Sequence, residues 1–166
     1  MCILIQHGTM EPLKIVQTSE LSEEQKNQIL RIWNSEYPEF LAYSNVSGFD
    51  RYLDELENSR HYIAKYRNEI IGWICLFDRD EEKWFVTLVS SSSQKKGVGS
   101  HLIQIAQNHS KVLNGWVIEK DSYLKANGDL YKSPLAFYEK NGFEKTNDRF
   151  SNEDFEAVRV TWGRCQ

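Results

Sequence analysis

The strongest constraint on this chain lies between Trp84 and Ala106, where an apolar strand runs through a glycine-bearing turn into a helix. Trp84-Phe85-Val86-Thr87-Leu88-Val89 is a continuous apolar run with the length of a buried strand. Ser90 to Ser93 form a polar turn, followed by Gln94-Lys95-Lys96-Gly97-Val98-Gly99-Ser100. Val98, Leu102, Ile105, Ala106 and His109 then recur at helical spacing, so a helix starts at the glycines. A strand entering a helix N-terminus this way builds an anion site, because the first N–H groups are bare and the helix dipole favours negative charge. Gly97 and Gly99 carry no Cβ, so a pyrophosphate can approach the main chain. Lys95 and Lys96 add positive charge to a chain whose net charge is −4.

Such a loop has several readings. A nucleoside-triphosphate loop needs Gly-Lys-Ser/Thr, whereas Ser100-His101 follow Gly99. A dinucleotide fingerprint needs a third glycine where Leu102 stands. Coenzyme A needs the same pyrophosphate cradle, and the amides of its pantetheine arm can pair with an exposed strand edge such as Leu88-Val89. A helix that uses glycine only for a tight turn explains the loop equally well.

A second constellation is Ser133-Pro134-Leu135-Ala136-Phe137-Tyr138-Glu139-Lys140-Asn141-Gly142-Phe143. Ser133 is a good N-cap, Pro134 a good first helical residue and Gly142 a helix end, so a short helix feeds a strand. Together the two motifs resemble the GNAT superfamily of acyl-CoA-dependent N-acyltransferases. Val89 and Gln94-Lys95-Lys96-Gly97-Val98-Gly99 match the family's Gln/Arg-x-x-Gly-x-Gly/Ala signature and the valine before it. Pro134 to Phe143 match its Ala-x-x-Phe-Tyr-x-x-x-Gly-Phe signature, with Pro134 in place of the alanine. Tyr131 stands where the family often has asparagine. The resemblance covers roughly residues 60 to 145 and implies acetyl-CoA as cosubstrate. The expected coenzyme contacts are Leu88, Val89, Gln94, Lys95, Lys96, Gly97, Val98, Gly99 and Ser100.

The expected fold class is α/β (α+β), with a mixed, mostly antiparallel central sheet flanked by helices. Leu13 to Val16 read as a first strand. Ser22-Glu23-Glu24-Gln25 is a capping-box signature, opening a helix with Ile29, Trp33 and Tyr37 in one stripe. Gly48 to Asn58 read as a second helix with Phe49, Tyr52, Leu53 and Leu56 inward. Tyr62–Tyr66, Ile70–Phe77 and Lys83–Val89 read as a meander with turns at Asn68-Glu69 and Asp78 to Glu82. Asn114-Gly115 read as a turn before the strand Trp116-Val117-Ile118, and Glu119 to Lys132 as a long loop. Val158, Val160 and Trp162 alternate in a closing strand. The resulting order, β-α-α-β-β-β-α-β-α-β-β, is the family's order. Residues 1–10 read as a disordered leader and 11–166 as one domain.

Composition narrows the partners. The acidic balance disfavours nucleic acid. Cys2, Cys75 and Cys165 are odd in number and far apart, which indicates neither a metal site nor a disulfide framework, and Cys75 reads as an inert core residue. No apolar run approaches the ~18 residues that span a membrane. A cytoplasmic monomer or homodimer without metal is expected.

Acyl transfer to an amine needs three things: a deprotonated amine, a donor to the developing oxyanion and a proton for the leaving thiolate. The resemblance assigns the last role, general acid, to Tyr138. The base is left among Glu119, Asp78, Asp80 and water, and no histidine is indicated, with His61, His101 and His109 read as surface or helix-end residues. The acceptor is an unidentified amine. The resemblance places the acceptor at Glu36 to Tyr43, with Tyr37 and Phe40 read as core and Glu36 and Glu39 as solvated. A non-catalytic acyl-CoA sensor and, less directly, a nucleotide-binding module are the other classes that fit.

Overall fold

Ser22 opens the first helix as the capping box requires. Its hydroxyl accepts from the Gln25 N–H at 3.2 Å, and the Gln25 side chain accepts from the Ser22 N–H at 2.8 Å. That helix, α1 (Glu23–Glu36), follows strand β1 (Lys14–Thr18) and ends before Pro38, which cannot continue it. The remaining elements are α2 (Val46–Asp54), β2 (Glu57–Tyr66), β3 (Glu69–Arg79), β4 (Glu82–Val89), α3 (Val98–Asn108), β5 (Val112–Ile118), α4 (Leu135–Lys140), β6 (Glu144–Ser151) and β7 (Glu156–Gly163). This is the element order read from the sequence. The computed structural model describes residues 13–94 and 96–163. The leader expected at 1–10 lies outside the described residues.

The strands form one seven-stranded sheet in the order β1-β2-β3-β4-β5-β7-β6. Every neighbouring pair is antiparallel except β4 and β5. The meander turns on Arg67-Asn68 and Asp80-Glu81, both pairs at positive φ, as tight two-residue hairpins demand.

Side chains alternate across a strand, so the sheet carries a core on each face. One face meets α3 and α4 through Phe85, Leu102, Ile103, Ala106, Tyr138 and Phe143. The other meets α1 and α2 through Ile29, Trp33, Phe49, Trp73 and Trp84. Fully burying a side chain such as Phe49 or Ile29 contributes roughly 1.5–3 kcal/mol.

Three local readings are corrected. Asn114-Gly115 is no turn but lies inside β5, which begins at Val112. A Cβ on Gly115 would meet the Phe85 ring at 2.8 Å, so this glycine lets a ring lie against the strand. The N-cap of α4 is Pro134, one residue later than expected, with the Ser133 hydroxyl accepting from the Leu135 N–H at 3.3 Å. His61 is not on the surface. It is buried in β2, stacked on Trp73, and its Nδ1 accepts from the Trp73 indole N–H at 3.2 Å.

Candidate active site

The site begins where β4 and β5 part. These parallel strands share one registered pair, Trp84 with Asn114, near the start of β4. Beyond it the second half of β4 has β3 on one side and an open edge on the other. The Ser90 N–H donates to the Ile71 carbonyl, which fixes the alternation of the β3–β4 ladder. Leu88 and Val86 turn their main-chain groups toward β3, while Thr87 and Val89 turn theirs toward the parting. Leu88, expected at the coenzyme edge, therefore spends its main chain inside the sheet. Thr87 takes its place beside Val89. Side chains occupy both carbonyls on that edge: Tyr37 Oη donates to the Thr87 carbonyl at 3.0 Å and Gln94 Nε2 to the Val89 carbonyl at 2.9 Å. The N–H groups of Thr87 and Val89 are what this edge offers.

Beside the parting stands the start of α3. Its N-cap is Gly97 at φ +81°, a left-handed conformation that glycine adopts without strain. No side chain among the described residues caps the helix, whose first N–H groups have no intrahelical partner. Among the described residues, nothing lies within 4 Å of where a Cβ on Gly97 would sit. Gly99 is different. A Cβ there would touch the Phe137 ring at 3.0 Å and Val89 at 3.6 Å, so its bareness lets α3 lie against α4. Val98 turns its side chain into the core, Ser100 is half-buried and Lys96 is exposed. Lys95 lies outside the described residues.

Glu36, read as solvated, ties this loop down instead. Its carboxylate accepts from the Ser91 N–H at 2.9 Å, the Ser91 hydroxyl at 2.5 Å and Gln94 Nε2 at 3.2 Å. Lys125, in the long loop before α4, meets it at 3.4 Å. Only 11% of the Glu36 side chain is exposed. Gln94 therefore spends its amide N–H groups on Val89 and Glu36, holding the loop.

A cleft of about 500 Å³ opens at the parting, lined by Phe85, Thr87 and Tyr138 from one side and Tyr37 and Trp84 from the other. Tyr138 stands on α4 with its ring against Phe85 and Phe143. Burial raises its phenol above the ordinary tyrosine value, with neighbouring Tyr131 adding to the effect. Tyr131 is itself raised by burial and then by Asp121, and Tyr37 by burial and then by Tyr138. All three phenols stay protonated at neutral pH. The grouping of Tyr37 and Tyr131 with Tyr138 carried no signal in the sequence beyond Tyr131 standing at the family's asparagine position.

None of the carboxylates considered as bases lines the cleft. Glu119 pairs with Lys145 at 2.6 Å, which holds its carboxyl below the usual range. Hydrogen bonds from Lys83 and Asn58 hold Asp78 down likewise. Asp80 is exposed in its hairpin. Cys75 is fully buried, and burial pushes its thiol up to about 12, as an inert core residue requires. Among the described residues no group of three or more His, Cys, Asp or Glu could hold a metal, and no helix is long and apolar enough to cross a membrane.

The fold as a whole is shared with solved N-acyltransferases. One from Pseudomonas aeruginosa superposes with a TM-score of 0.66 at 14% identity, covering 92% of this chain and 100% of that one. The aminoglycoside 6'-N-acetyltransferase from Enterococcus faecium gives 0.62 at 16%, covering 90% and 96%. An aminoglycoside 6'-N-acetyltransferase complexed with coenzyme A gives 0.63 at 16%, covering 89% and 95%. No curated protein matches the chain. The model of the acetyltransferase (GNAT) domain matches residues 57–145. The chain belongs to the GNAT acetyltransferase family.

Proposed function

We propose that this protein is an N-acetyltransferase that moves the acetyl group of acetyl-CoA to an amine by direct attack on the thioester. The observation that carries the reading is the shared opening. The N–H edge of Thr87 and Val89, the uncapped start of α3 and Tyr138 all face or flank one parting of the sheet. The residues fit the coenzyme: N–H groups on a strand edge suit the pantetheine amides, and the space that the described residues leave before Gly97 suits a pyrophosphate.

The edge N–H groups would stabilise the oxyanion that forms as the amine nitrogen bonds to the carbonyl carbon. When the C–S bond breaks, the Tyr138 hydroxyl would give its proton to the sulfur. The ammonium proton leaves through water, since no carboxylate among the described residues lines the cleft, and water returns a proton to the Tyr138 phenolate. That same lack favours the second reading, an acyl-CoA sensor without turnover.

A melting scan with acetyl-CoA, ATP and NAD, followed by a thiol-release assay over an amine panel, tests both. Stabilisation by acetyl-CoA alone together with amine-dependent thiol release is expected. Tight acetyl-CoA binding with no acceptor would favour the sensor. Stabilisation by ATP or NAD alone would refute both.

A further inference from the structure

The acceptor side of the cleft has a chemistry of its own. Its wall is aromatic: Trp84, Trp116, Phe150, Phe155 and Tyr52 line it, with Trp84 and Trp116 5.5 Å apart and Phe150 and Phe155 also 5.5 Å apart. Among the described residues the one charged residue in the lining is Arg79, whose guanidinium lies over Trp84 at 5.2 Å. Arg79 forms no ion pair with any described carboxylate, and the carboxylates around it are engaged elsewhere. Glu82 holds Arg159 at 2.7 Å, and Asp78 holds Lys83. Glu55, which acts on Tyr52, lines the adjoining depression with Arg51. The Trp84 indole N–H is itself buried and has no hydrogen-bond partner among the described residues.

We propose that the acceptor is a monoamine with an aromatic or apolar body and a carboxylate, the chemistry of an aromatic amino acid, its ring against the aromatic wall and its carboxylate on Arg79. The proposal rests on the transferase reading and narrows its acceptor. A polycation is disfavoured twice over, since the wall offers it no carboxylate and Arg79 repels it. The cleft, near the lower end of the roughly 300–1,000 Å³ usual for small-molecule sites, suits a single-ring or two-ring body.

The test compares kcat/KM for tryptophan against tryptamine, phenylalanine against phenethylamine, and all four against spermidine and kanamycin, by acetyl-CoA-dependent thiol release. Calorimetry of acetyl-CoA and acceptor quenching of tryptophan fluorescence run alongside. The carboxylated member of each pair is expected to lead by about 10-fold, the low end for a charge-assisted contact at an exposed guanidinium. In Arg79→Gln that ratio should fall to near one, with acetyl-CoA affinity retained. Preference for spermidine or kanamycin would overturn the proposal while leaving acetyl transfer standing. A carboxylate advantage that survives Arg79→Gln would overturn it as well. So would intact acetyl-CoA binding with neither turnover nor quenching by any aromatic amine. Loss of acetyl-CoA binding by the wild-type protein would refute the transferase reading itself.

Discussion

Replacing Tyr138 with phenylalanine isolates one proton. The ring stays, along with its packing on Phe85, Phe137 and Phe143 at 5.6, 5.3 and 5.6 Å. Burial and Tyr131 raise its phenol, and no hydrogen bond contributes to the shift, so the substitution orphans no partner. Stability should change by no more than about 1 kcal/mol. A phenol near ~10 giving its proton to a thiolate whose acid is near ~8.5 works uphill by about 2 kcal/mol. Burial of Tyr138 steepens that climb. Its contribution should therefore sit at the lower end of the ~10²–10⁴ range for general acids, near 10²-fold or about 2.7 kcal/mol in the barrier. The loss should fall on kcat, because the proton moves only in the transition state. Steady-state thiol release over a range of acceptor concentrations, with calorimetry of acetyl-CoA, reads all three quantities. Wild-type kcat in a folded Tyr138→Phe protein would remove Tyr138 from the chemistry. A parallel fall in acetyl-CoA affinity would make it a binding residue.

Three further perturbations probe the frame. Burial lowers the His61 imidazole to about 4, so folding disfavours its protonation. The stability it lends is complete above its unfolded value near ~6.5 and is lost as pH falls toward 4, by up to ~3 kcal/mol. Urea melts of wild type and His61→Gln between pH 7 and 4 should diverge in that window, and parallel curves would contradict it. Glu36→Ala strips the Ser91 and Gln94 donors of their partner. It should cost roughly 1–3 kcal/mol and lower acetyl-CoA affinity, checked by melting and calorimetry. Gly99→Ala presses a methyl on the Phe137 ring and should lower stability by about 1–3 kcal/mol, whereas Gly97→Ala meets only backbone strain. A Gly99→Ala protein that melts with the wild type would refute the packing argument.

Much of this was readable in the residues because local rules and the fold agreed. Ser22 and Gln25 made their capping box, and Gly142 ended α4 at φ +88°. The apolar period of α3 put Val98, Leu102 and Ala106 inside. What escaped depended on partners distant in sequence. Gly115 looked like turn chemistry because the Phe85 ring it accommodates comes from another strand. Which of Leu88 and Thr87 faces the parting is a matter of ladder alternation, one residue either way. Glu36 gave no hint of its role, since the Ser91 and Gln94 it holds lie 55 and 58 residues on. The aromatic wall gathers residues from α2, β3, β4, β5, β6 and the β6–β7 turn, and no window of sequence brings them together.

Asn114 joins two leaves. It is fully buried at the single rung between β4 and β5, its amide donating to the Lys83 carbonyl at 3.1 Å. Its oxygen takes the Arg159 guanidinium, which reaches across to Glu82. The sheet is thus a four-stranded leaf and a three-stranded leaf pinned near one end. The closed end of the parting is therefore held from outside the cleft, by an amide and a guanidinium that line none of its wall.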